Sequence, residues 1–368
     1  INPIGSGPYM INNTKKETSG VVNSYTLKPF TKFTLGKPYI KTITLRFYSN
    51  ENNMISALKN GSVEQISSIS PENAELLKNK NYDIKSTVLP RVFGLFFNQN
   101  QNQIFTNKNV NQAIALAINK ERIVTEVLKG YGTVIENPIP NNIISYQAIN
   151  SKNDTTHEER LEKAKNILIK DGWKTNTDGF LEKIVTEKKV KATVLLEFSI
   201  STSNASDLTQ AAEIIKQDLE AIGIKVNVKT FEIGNLNQGV IRPRKYDALL
   251  FGQIINHESD LFAFWHSSQR KDPGLNVAMY TNVKVDKILE DAFTTIDETN
   301  RINKYSAFQE EIRKDVPAVF LYSPNLIYIT KNNTQGINLN HVTSPKDRWN
   351  DVYLWYIDTD NVWKIFTN

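Results

Sequence analysis

Apolar and polar positions along the chain alternate with two distinct periods, and the period changes mark the elements. Residues 41–48 (KTITLRFY) set Ile43, Leu45 and Phe47 against Thr42, Thr44 and Arg46, a period of two that predicts a half-buried strand. Met54, Ile55, Ala57 and Leu58 then fall at helical spacing, and Gly61 suits the left-handed position that ends a helix. Pro71 opens a short helix over 72–80. Residues 92–98 (VFGLFFN) form a compact apolar strand. Beyond it Val110, Ala113, Ile114, Ala117, Ile118, Val124, Val127 and Leu128 predict one long amphipathic helix, with Thr106 or Asn107 as N-cap and Gly130 as stop. A loop with Pro138 and Pro140 leads to a helix over 158–170, closed by Asp171, Gly172 and Trp173.

The clearest topological signal is a strand over 190–200, a helix over 206–222 and a strand over 224–231, with Gly223 as the intervening cap. That order is a βαβ unit, whose two strands should be parallel and whose crossover should be right-handed. A third strand is expected over 246–255, helices over 283–294 and 299–314, and strands over 319–329 and 351–357. At 368 residues two or three domains are expected. With no flexible linker in sight, a chain that crosses between lobes more than once fits better than beads on a string.

Composition narrows the function by exclusion. There is no cysteine, so disulfides, thiolate metal sites and cysteine nucleophiles are absent. The net charge of +5 shows no basic stripe of the kind nucleic-acid binding uses. The longest aliphatic run, 113–118, is far short of a membrane span, which needs about 18 residues. No nucleophile elbow, phosphate loop or zinc-protease motif occurs. His157, His257, His266 and His341 lack metal-ligand spacing, and neither metal nor cofactor is expected.

One segment differs in kind. In residues 246–269 (YDALLFGQIINHESDLFAFWHSSQ) an apolar strand runs into Asn256, His257, Glu258 and Asp260, then Phe262, Phe264, Trp265 and His266. Ligands of open α/β sheets bind beyond the carboxyl ends of strands, where this cluster falls. The alternative is a solvated loop whose Asp260 caps the following helix. Glu258 and Asp260 could also be read as the acid/base pair of a hydrolase. Trp265 reads as core or as ligand platform, Asn98 and Asn276 as buried amides or as ligand contacts, His266 as a helix-face residue or a cleft residue, and Asp286 as helix support.

The order and content of these segments resemble the later two thirds of extracellular solute-binding proteins of family 5, the peptide, dipeptide and nickel class of receptors for ABC importers. NPIGSGPY (2–9) is similar to the family's G-T-G-P-Y turn, with Ser6 for Thr. Residues 35–64 match its aromatic-Gly-x-Pro strand, helix and acidic turn, with Glu64 for Asp. Residues 107–140 resemble its long helix and Pro-rich loop, with Asn111 where Arg is frequent. YDALLFG, DLFAFWHSSQ, GLNVAMYTNVKVDKILEDA, RINKYSAFQEEIRKDVPAVFLYSPN and LWYIDTDNVWK follow in the family's order.

The resemblance implies an α/β fold of the periplasmic-binding-protein type II kind, a two-lobed clamp with mixed sheets that closes on its ligand. Residues 1–93 and 326–368 would form the first lobe and 94–325 the second. The N-terminal part of the first lobe and a small extra domain would be missing here. It further implies a non-enzymatic receptor outside the cytoplasmic membrane of a bacterium, binding oligopeptides in the cleft between its lobes for delivery to ABC permease subunits, monomeric and anchored through an N-terminus absent here. A nickel chelate or an oligosaccharide is the alternative solute. Main-chain contacts would come from the strand ending in Gly252, Gln253 and Ile254. The family's acid for the ligand's amino terminus falls on Asn256 or His257, neither of them acidic, so Asp260 is the expected charge; Trp265, Asn276 and Asn98 complete the expected ligand set.

Overall fold

The computed structural model describes residues 5–78, 82–140, 155–187, 190–331, 334–340 and 342–357. His341 and the closing segment beyond Ile357 lie outside the described residues, as do residues 2–4 of the opening turn. The chain divides into two units, Ile1–Leu89 with Asn325–Asn368, and Pro90–Pro324. One long strand, Ala318–Lys331, contributes its first half to the second unit and the rest to the first.

In the first unit the strands Tyr9–Lys16 and Val22–Pro29 form an antiparallel hairpin, extended by Ile43–Arg46. The last half of the long strand lies between Gln65–Ser67 and Tyr82–Val88, both antiparallel to it. Helices Glu51–Lys59 and Pro71–Lys78 match the expected ones; Asn50 caps the first by accepting the Asn53 N–H at 2.9 Å. Leu326, Tyr328, Leu339, Val352 and Trp355 pack a small core. The strand expected over 351–357 is instead a 3-10 turn, Val352–Leu354, followed by the short strand Tyr356–Ile357. Its apolar residues supply this core from a turn.

The second unit is built on one mixed sheet. Its order is Lys225–Phe231, Glu197–Ser203, Ala248–Ile254, Arg91–Phe97 and residues 318–324. The first three run parallel and the next pairings are antiparallel. The expected βαβ unit is present, with helix Ser206–Ala221 between strands paired Phe198 to Val226. Gly223 takes φ +87° at the turn back into the sheet, a conformation that favours glycine.

Both faces of this sheet are covered, so neighbouring residues on a strand enter different cores. Leu95, Phe97, Leu250, Val319 and Leu321 pack with residues of helices Lys108–Ala117, His157–Lys170 and Ser206–Ala221. Phe96, Leu249, Ala318 and Phe320 pack on the opposite face with residues of Asp260–Trp265, Val283–Thr294 and Glu298–Asp315. At about 25 cal/mol per Å² of apolar surface removed from water, such double burial dominates what holds the sheet.

Two expected elements are interrupted. The long helix over 107–128 stops at Ala117 and restarts at Lys120. The Asn119 side chain caps the new start by accepting the Arg122 N–H at 3.0 Å, and the buried Asp218 accepts the Asn119 N–H at 2.8 Å. Two such acceptors make the break favourable despite the unbroken apolar pattern. The strand over 190–200 likewise splits at Leu196 into Val190–Leu195, which hairpins with Leu181–Glu187, and Glu197–Ser203 of the central sheet.

Candidate functional site

The carboxyl end of Ala248–Ile254 offers main chain that the sheet does not use. On one side this strand pairs fully with Arg91–Phe97, Gly252 opposite Phe93, Gln253 opposite Val92 and Ile254 opposite Arg91. On the other side its pairing with Glu197–Ser203 is confined to Ala248 and Leu249, and Thr202 Oγ1 donates to the Leu250 carbonyl at 2.9 Å. Past that point, residues 251–254 have no ladder partner on this edge among the described residues. An open edge of this kind can take an extended segment by main-chain hydrogen bonds.

Aromatic rings pack on the paired side of this strand. Phe93 leans over Gly252, where a Cβ would meet its ring at 2.7 Å, and stacks on Tyr322 with centroids 5.0 Å apart. A bulge between Phe320 and Tyr322 makes this possible, because it turns Tyr322 onto the face that Phe93 occupies. The Tyr322 ring is buried, its hydroxyl has no hydrogen-bond partner among the described residues, and burial pushes its pKa up. Gln253 is buried too, with its Oε1 unpartnered among the described residues, whereas Ile254 is half exposed.

The loop after the strand is held by its own carboxylate. Asp260 Oδ2 accepts the Asn256 and His257 N–H groups at 2.8 and 3.1 Å, which makes Asp260 a tie for the loop. The side chains of Asn256 and His257 are exposed. Glu258 bonds Arg301 Nε at 3.1 Å, so the two carboxylates of the suggested acid/base pair are bound to different partners.

Three of the expected ligand contacts are taken by the core. Trp265 is fully buried among Phe96, Tyr280, Phe308 and Phe320, so it is no platform. Asn276 Nδ2 donates to the carbonyls of Trp265, His266 and Tyr280, and its Oδ1 accepts the Tyr280 N–H. Asn98 donates to the Arg244 carbonyl at 2.9 Å and accepts from the N–H groups of Asn100 and Gln101. Each amide satisfies main chain that burial would otherwise leave unpaired. His266 is buried and lies 3.3 Å from Glu290, and Asp286 receives the Ser267 N–H and hydroxyl.

The structure thus gathers Gly252, Gln253 and Ile254 at the open edge, sets Asn256, His257 and Asp260 in the adjoining loop, and adds Phe93 and Tyr322. The sequence reading missed those two. Residues 92–98 read only as a compact apolar strand, and nothing in the sequence marks the bulge that brings Tyr322 beside Phe93. A separate groove of about 750 Å³ lies within the first unit, lined by Leu45, Phe47, Tyr328, Trp349 and Trp355 among others.

The second unit is an α/β body with a doubly covered mixed sheet, whose central strand leaves main chain unused at its carboxyl end. Residues 1–273 match the model of the bacterial extracellular solute-binding proteins, family 5 (middle), and the chain belongs to that family. The family comprises binding proteins and is extracellular by its description. Over 358 residues the chain is 27% identical to the oligopeptide-binding protein AppA of Bacillus subtilis, covering 96% of this chain and 62% of AppA. The structure of AppA in complex with a nonapeptide matches with a TM-score of 0.69 over 97% of this chain and 67% of that one. NikZ of Campylobacter jejuni, solved in complex with Ni(L-His), matches at 26% identity with a TM-score of 0.70, over 96% of this chain and 68% of NikZ. CtaP of Listeria monocytogenes, at 21% identity and a TM-score of 0.79 over 97% of this chain and 67% of CtaP, shares the fold. The chain therefore spans less than two thirds of the length of the AppA sequence it matches. Among the described residues, no helix is long and apolar enough to cross a membrane.

Proposed function

We propose that this chain is the ligand-binding part of the substrate-binding component of an ABC importer, non-enzymatic and acting outside the cytoplasmic membrane, and that its solute is an oligopeptide. The observation that carries the reading is the unpaired edge of residues 251–254. A peptide added there as a further strand would be held by main-chain hydrogen bonds, which are indifferent to its side chains. The likeness to an oligopeptide-binding protein supports this solute class. The permease subunits of the importer are the partner to which such a receptor would deliver it.

Mass spectrometry of material released on denaturing the purified protein tests the reading. Co-purified peptides of mixed sequence are the expected result. A nickel chelate or an oligosaccharide in stoichiometric amount would replace it with another solute. Ile254→Ala should change peptide affinity by no more than about threefold, because main chain rather than this half-exposed side chain makes the contact.

A further inference from the structure

Arg91 carries a charge that its own fold leaves uncompensated. It opens the strand Arg91–Phe97 and is partly buried. Among the described residues no ion pair or hydrogen bond engages its side chain, and its Nε is buried without a partner. The second unit's other arginines all have partners, carboxylates for Arg122, Arg160, Arg242, Arg301 and Arg313 and carbonyl oxygens for the remaining two. Burial lowers the Arg91 pKa with no acid to offset it, yet a guanidinium stays charged in a protein. A partly buried cation with an unmade N–H bond is costly until a ligand or a water completes it.

The pairing register puts this charge beside the open edge. Arg91 stands directly opposite Ile254, and alternation sets Arg91 and Phe93 on the same face of the sheet as Gly252 and Ile254. A peptide added along residues 251–254 would lie two strand spacings from Arg91, about 9–10 Å away, and every second side chain of it would emerge on that face. At the level of Arg91 only Ile254 intervenes, and its side chain is half exposed. An arginine and a glutamate, both long and unbranched, can meet across such a gap.

We propose that Arg91 forms a subsite for an acidic side chain of a peptide lying along the open edge of residues 251–254, so that the protein prefers glutamate-bearing peptides. The inference rests on the peptide reading above and adds to it a selectivity that main-chain contacts lack. The guanidinium donates its N–H groups to the carboxylate, which it can engage through two parallel bonds.

Calorimetry with two alanine pentapeptides, amidated at the carboxyl end and carrying glutamate or glutamine at the third position, decides between the outcomes. Amidation removes the terminal carboxylate as a rival source of charge. Wild-type protein should bind the glutamate peptide about tenfold more tightly. Arg91→Gln should weaken the glutamate peptide alone and bring the two within about twofold, with no fall in melting temperature, since the guanidinium has no protein partner to lose. Arg91→Lys should keep part of the preference. A preference that survives Arg91→Gln, or an Arg91→Gln loss that is equal for both peptides, would overturn the subsite. Wild type binding both peptides equally would overturn it while leaving the peptide reading intact. Wild type binding neither would overturn the peptide reading and the subsite with it.

Discussion

Gly252→Ala tests whether the open strand edge depends on the aromatic packing beneath it. Gly252 has no special backbone conformation, so the effect of the substitution is steric. The new Cβ would meet Phe93 Cζ, Cε1 and Cε2 at 2.7, 2.8 and 3.0 Å. Carbon atoms rest at about 3.5–4.0 Å, so the ring would have to withdraw by about 1 Å. Its stacking against the buried Tyr322, at 5.0 Å between centroids, opposes that movement. Overpacking of this kind costs about 1–3 kcal/mol. The assay is denaturant unfolding of wild type, Gly252→Ala, Phe93→Ala and the double variant. Removing the ring should make the alanine nearly neutral, so the cycle should show a coupling of about 1–3 kcal/mol in the relieving direction. A Gly252→Ala cost that is the same with and without the Phe93 ring would refute the reasoning.

Further outcomes follow from the same structure. Asp171 accepts from Asn107 and Asn109 at 2.6 and 2.7 Å, from Trp173 at 3.1 Å and from Lys183, so Asp171→Ala should cost at least one charge-assisted bond, about 1.5–3 kcal/mol by chemical unfolding. Burial works to raise the pKa of Asp171 and of Asp315, but hydrogen bonds outweigh it and hold both below the usual carboxylate range; the donors are Asn109, Asn107 and Lys183 for the first, and Lys108, Tyr280 and Asn282 for the second. Their stabilisation is therefore complete above the usual carboxylate range and lost as pH falls from it through the lower folded-state pKa values, and a melting profile of the double Asp→Asn variant should show a flatter acid limb than wild type. Trp265→Ala should cost about 3–5 kcal/mol in unfolding free energy, the penalty for emptying a core site, and an affinity loss without destabilisation would return Trp265 to the ligand.

How far the sequence could be read depended on whether a residue's role was set by its neighbours in the chain or by neighbours in space. The βαβ unit was legible because both periods and the Gly223 turn are local signals, and the observed strands pair as that pattern requires. The break at Ala117 was not, because its cause includes Asp218, about a hundred residues along the chain, accepting the Asn119 N–H. Asn98 and Asn276 show the same limit at the site: a polar residue near a strand end looks alike whether it faces a ligand or satisfies buried carbonyls, and only the Arg244, Trp265, His266 and Tyr280 carbonyls decide.

The candidate site was half legible for a related reason. The strand into Gly252, Gln253 and Ile254 announces itself by its apolar run, but the openness of its edge depends on where Glu197–Ser203 stops pairing, a fact about a different strand. Tyr322 lies further from reach. Strict alternation would put it on the face of Phe320, and the bulge moves it to the face of Phe93. One extra residue in the pairing therefore changes which groups line the site while leaving the hydrophobic pattern intact. On the proposed main-chain reading, the edge that would bind an extended ligand depends on strand pairing rather than on the side chains around it.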